Sequence, residues 1–124
     1  MINKQNFINA ITQDIDMVKG DSLEFAFQLQ GLEGAEPTIV FSCALNYYDN
    51  PLFTVDNEDV NGITRDSYDA VKDIATYTIR VAPSKTEPLD LNRYYYDLEM
   101  RLNDEIITLM RGRLTLLYEV NKGV

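Results

Sequence analysis

Along most of the chain, apolar and polar residues alternate with a period of two. In Leu23-Glu24-Phe25-Ala26-Phe27-Gln28-Leu29-Gln30, every second residue is large and apolar, with polar or small residues between. Successive side chains of a strand point to opposite faces, so this segment predicts a half-buried strand with Leu23, Phe25, Phe27 and Leu29 inward. Lys19-Gly20-Asp21 is a turn signal that joins it to an earlier strand, roughly Thr12 to Val18. The same period predicts a strand over Thr38 to Tyr47, with Ile39, Phe41, Cys43, Leu45 and Tyr47 on one face. A short strand follows at Leu52 to Val55, and a strong one at Ala75 to Val81 with Tyr77, Ile79 and Val81 inward.

The C-terminal third predicts a hairpin. Tyr94, Tyr96, Leu98, Met100 and Leu102 share a face, Asn103-Asp104 supplies a tight turn, and the chain returns through Ile107 to Tyr118. On the returning strand the inward parity changes from odd (Ile107, Leu109) to even (Leu114, Leu116). One extra residue is therefore needed, and Gly112 is the expected β-bulge. Between Pro83 and Leu89 there is room for one helical turn crossing the end of the sheets. Seven or eight strands and no long helix predict an all-β, antiparallel two-layer sandwich, Ig-like in broad shape. Residues 12–124 form its single domain, and 1–11 an N-terminal arm.

Asp49 to Asp73 carries seven acids against Arg65 and Lys72, and reads as a long exposed excursion. Within it, Asp56-Asn57-Glu58-Asp59-Val60-Asn61-Gly62 has the oxygen-rich look of a calcium loop. Its spacing is wrong, because Val60 stands where a third ligand belongs. A solvated loop is expected and no metal site.

Composition removes whole classes of chemistry. The chain has no histidine, which excludes Ser-His-Asp and Cys-His catalysis and Cys/His zinc sites. Its one cysteine, Cys43, lies in an apolar run and is expected to be an inert buried thiol. Asp97 and Glu99 lie on an outward strand face with no cleft to make them an acid–base pair. No Gly-rich phosphate loop occurs, so no cofactor, catalytic residue or enzymatic activity is expected. The net charge of −9 disfavours nucleic acid and anionic membranes as partners. No apolar run is long enough to span a bilayer, and the first residues do not read as a signal peptide.

Contact residues are the remaining candidates. Tyr48 and Tyr95 are outward by parity, and aromatic rings are favoured at interfaces. Ile2, Phe7 and Ile8 make the arm apolar enough to cover a neighbouring subunit's sheet edge.

Three segments in order carry a family resemblance: Lys19-Gly20-Asp21-Ser22-Leu23-Glu24-Phe25-Ala26-Phe27; Val81-Ala82-Pro83-Ser84-Lys85-Thr86 followed by Tyr94-Tyr95-Tyr96-Asp97-Leu98; and Thr108 to Leu116 with its central Gly112. Over about residues 12 to 120, the chain resembles small phage and prophage proteins related to the N-terminal domain of the baseplate upper protein family. It departs from them in having Gly31-Leu32-Glu33-Gly34 after the first strong strand, and no long C-terminal extension. The resemblance implies a non-enzymatic structural or docking component of a tail or baseplate. It would be located in the virion, partnered by other tail proteins and forming a homo-oligomer. The alternative is a sandwich module that binds carbohydrate or a cell surface through Tyr95 and its neighbours.

Overall fold

The computed structural model describes residues 11–118. The elements in chain order are β1 (Ile11–Thr12), β2 (Ile15–Val18), β3 (Leu23–Gln30), β4 (Thr38–Ala44), β5 (Phe53–Asp56), β6 (Ile63–Asp69), β7 (Ile74–Val81), the single helical turn α1 (Pro83–Thr86), β8 (Arg93–Leu102) and β9 (Glu105–Leu117). They form two sheets. The wider sheet runs β9-β8-β4-β5, with β1 and β2 following one another along the free edge of β9, and the narrower sheet is β3-β7-β6. The chain crosses between layers after β2, β3, β5 and β7. The result is an all-β sandwich of Ig-like shape.

The predicted periods place the core. Ile39, Phe41, Cys43, Ile79, Leu98 and Leu114 are fully buried, all on the faces assigned from alternation. Burying each large apolar side chain contributes about 1.5–3 kcal/mol. An aromatic contact links the layers, where Phe25 of β3 meets Phe41 of β4 edge-on with centroids 6.2 Å apart, and within the wider sheet Phe41 stacks on Tyr96 of β8 at 5.2 Å. α1 closes one end with Thr86 buried beneath it. Just beyond, the Tyr94 hydroxyl donates to the Asp90 carbonyl at 2.8 Å. A tyrosine at the start of this strand bonding to backbone a few residues upstream is the corner device of Ig-like sandwiches.

Four expectations are corrected. First, the sandwich is not wholly antiparallel, because β1 and β2 both pair parallel to β9. They keep one register, Ile11 opposite Met110 and Ile15 opposite Leu114, and only Gln13-Asp14 breaks the strand. Ile11, counted with the arm in the sequence, is already in the sheet.

Second, β4 stops at Ala44, so Leu45 and Tyr47 are not inward but 45 % and 41 % exposed. A turn takes over: Asp49 N–H donates to the Asn46 carbonyl, the Asn46 amide donates to the Asp49 carboxylate at 3.0 Å, and Leu52 N–H returns to the Cys43 carbonyl.

Third, the bulge is at Leu109 and not at Gly112. Leu98 pairs with Met110 and Glu99 with Thr108, which leaves Leu109 as the extra residue. Gly112 serves a close approach instead. A Cβ there would stand 2.8 Å from the Gln13 carbonyl carbon, with its oxygen closer still.

Fourth, the acidic segment is not an excursion, since it contains β5 and β6. In β6 only Ile63 is fully buried, and Asp66 is an extra residue between Arg65 and Ser67. One apolar anchor and an interrupted register leave no alternation to read.

Candidate docking face

The outer face of the wider sheet is built from alternate residues of β4, β8 and β9. Register sets the rows: Ala44–Tyr95–Arg113, then Ser42–Asp97–Arg111. Glu99 and Arg101 continue along β8, and Arg93 precedes them. The Leu45–Asn50 turn folds over one end and lays Tyr47 on this face. Its ring centroid is 4.5 Å from that of Tyr95, the planes tilted by 45°. The Arg111 guanidinium sits 4.3 Å over the Tyr47 ring, and the Tyr47 hydroxyl donates to the Gly112 carbonyl at 3.3 Å. Between turn and sheet lies an open groove of about 210 Å³ whose walls include Ser42, Asp49, Asp97 and Arg101.

The charges on this face are mixed. Arg101 pairs with Glu99 at 3.0 Å. Burial raises the Asp97 carboxyl above its ordinary range, and the neighbouring Glu99 adds to the shift, while Arg111 and Arg101 pull it back. At the β2 edge, Asp16 stands beside Thr115, and the Asp14 carboxylate accepts the Arg113 N–H at 3.0 Å. Among the described residues, the Arg93 and Arg113 guanidiniums make no ion pair.

Tyr95 lies in the face, as parity expects. Tyr48 is fully exposed, one residue beyond Tyr47 on the same turn. Ile2, Phe7 and Ile8 lie outside the described residues. Tyr47 and the four arginines were missed, because outward polar positions carry no period of their own. The strand-ending Asp49-Asn50-Pro51 was the signal that could have freed Tyr47 from the inward set.

Elsewhere the candidate chemistry is absorbed by structure. Cys43 is fully buried, and desolvation pushes its thiol up to about 12, far from nucleophilic use at neutral pH. In the acidic turn, the Asp56 carboxylate accepts the N–H groups of Glu58 and Asp59, and the Asp59 carboxylate accepts that of Asp56. These two acids hold the turn closed. Among the described residues, no three potential ligands are gathered to hold a metal ion, and no helix is long and apolar enough to cross a membrane.

Fold and surface together define an Ig-like β-sandwich with one aromatic and arginine-rich sheet face. No protein-family model matches the chain, and no curated protein matches it.

Proposed function

We propose that this protein is a non-enzymatic docking domain of a bacteriophage or prophage tail or baseplate. The carrying observation is the outer face of the wider sheet. Tyrosine and arginine are the residues enriched where protein interfaces hold their energy, and here Tyr95, Arg111 and Arg113 of the sheet are grouped with Tyr47 of the turn laid over it. The assignment to a tail rests on the resemblance of the three ordered segments.

A carbohydrate platform needs a bare ring face for a sugar to stack on. Arg111 already covers the Tyr47 ring, and Tyr95 packs against it. Tyr48 alone leaves a bare ring on this turn; one ring beside covered neighbours makes no broad platform, and the grouped tyrosines and arginines favour the protein-docking reading.

The test is co-production with the products of neighbouring tail genes, together with mass spectrometry of purified particles. The expected result is a stable complex with one such product and stoichiometric presence in the particle. Absence from particles would refute the reading.

A further inference from the structure

We infer that the docking face takes a second copy of this chain, related by a twofold axis, through β8 and β9. This inference rests on the docking reading and names its partner.

Two copies of a chain with net charge −9 repel each other over most of their surfaces. The charge is unevenly spread. Segments 31–37, 56–62 and 65–73 hold eight carboxylates against Arg65 and Lys72, a net −6. Hydrogen bonds draw these segments together: Asn57 bonds Pro37 and Ile39, Arg65 bonds Glu36, and Asp73 bonds the Glu33 N–H. The outer face of the wider sheet is different. Its four arginines, Arg93, Arg101, Arg111 and Arg113, meet Asp14, Asp16, Asp97 and Glu99. The net charge there is zero, or −1 if Asp49 of the turn is included.

A twofold axis opposes a surface with itself, so it needs both signs within one patch. This face supplies them, and among the described residues three of its arginines, Arg93, Arg111 and Arg113, make no ion pair. The other broad surface, the outer face of the narrower sheet, is less suited. It presents Ala26, Gln28, Thr76 and Thr78, and its Arg80 is already tied to Glu24 at 2.7 Å. Glu24 and Asp66 give this face carboxylates, but Arg80 is the one arginine among its described residues and is already paired, so opposing the face to itself sets acid against acid.

The size also fits. From Arg93 to Arg101 is about 27 Å along the strand, and five strands span about 19 Å. The projected patch is roughly 500 Å² per copy and roughly 1,000 Å² in total, the lower bound for a specific interface. Exposed Ile106 and Leu117 add apolar area at its two ends.

Sedimentation velocity of the full chain over a concentration series tests this. The expected result is a monomer–dimer equilibrium. Arg93→Glu with Arg113→Glu should weaken it at least tenfold, with the circular dichroism spectrum unchanged. Arg113→Ala repeats the test with a smaller perturbation, should the double variant fold poorly. Ala26→Glu, on the opposite sheet, should leave the equilibrium as it is. Three results would overturn the inference: a wild-type monomer at the highest soluble concentration, variants that dimerise like wild type, or assemblies larger than a dimer. A monomer that still binds a tail protein would leave the docking reading standing. A dimer absent from particles would remove that reading and keep this interface.

Discussion

Replacing Gly112 with alanine tests how the two sheet edges are held. Gly112 is buried in β9 directly opposite Tyr96, and the Gln13 backbone crosses over it. With no side chain in the way, the Gln13 carbonyl reaches inward and accepts the Tyr96 hydroxyl. A Cβ would lie 2.8 Å from the Gln13 carbonyl carbon, where ordinary contact begins at 3.4 Å. The Gln13-Asp14 segment must therefore retreat by more than half an ångström. Three hydrogen bonds suffer: Tyr96 hydroxyl to Gln13, Gln13 N–H to the Arg111 carbonyl, and Arg113 N–H to the Asp14 carboxylate.

Leaving the buried tyrosine hydroxyl unpaired costs about 1–3 kcal/mol, and each of the other two bonds contributes about 0.5–1.5. Alanine recovers roughly 0.5–1 kcal/mol over glycine in a strand. The expected net loss is about 1–5 kcal/mol, which for a domain of this size lowers the melting temperature by roughly 4–20 °C. Urea unfolding of Gly112→Ala, Tyr96→Phe and the double variant measures it. If the bond is shared, the glycine substitution should cost less in the Tyr96→Phe background, with a coupling of about 0.5–3 kcal/mol. A Gly112→Ala protein as stable as wild type, or strict additivity, would refute the reasoning.

Leu98→Ala, at a fully buried position of β8, should cost about 2–5 kcal/mol by urea unfolding. The Tyr77 hydroxyl is buried with no hydrogen-bond partner among the described residues, so Tyr77→Phe should be neutral or raise the melting temperature slightly, unlike Tyr96→Phe. Burial raises Cys43 from its ordinary 9.0 to about 12 and Tyr96 from its ordinary 10.0 to about 12. Because the folded values are raised, their contribution is fully present below the unfolded values. It is lost as pH rises through the window from about 9 to about 12. Urea midpoints should fall steeply there, and Cys43→Val should remove part of the slope.

Strand identity and inward faces were legible wherever one face is buried, because a period of two is then enforced residue by residue. β3, β4, β7 and β8 follow from that pattern, as does the tight turn at Asn103-Asp104, where both residues adopt the left-handed conformation. The absence of histidine and the setting of Cys43 were equally plain, since they need no geometry.

Tertiary contacts decided the rest. Alternation runs on past Ala44 on paper, but hydrogen bonds between Asn46 and Asp49 end the strand and turn Tyr47 outward. The parity change in β9 requires an extra residue without saying which; pairing with β8 makes it Leu109 and leaves Gly112 for the Gln13 crossing. β6 carries a single buried anchor and takes its conformation from β7. The docking face joins a turn, three strands and the β2 edge, whose outward residues obey no common period. Its charges and rings become one surface only when the strands pair, because strand order, unlike strand identity, is set by long-range packing.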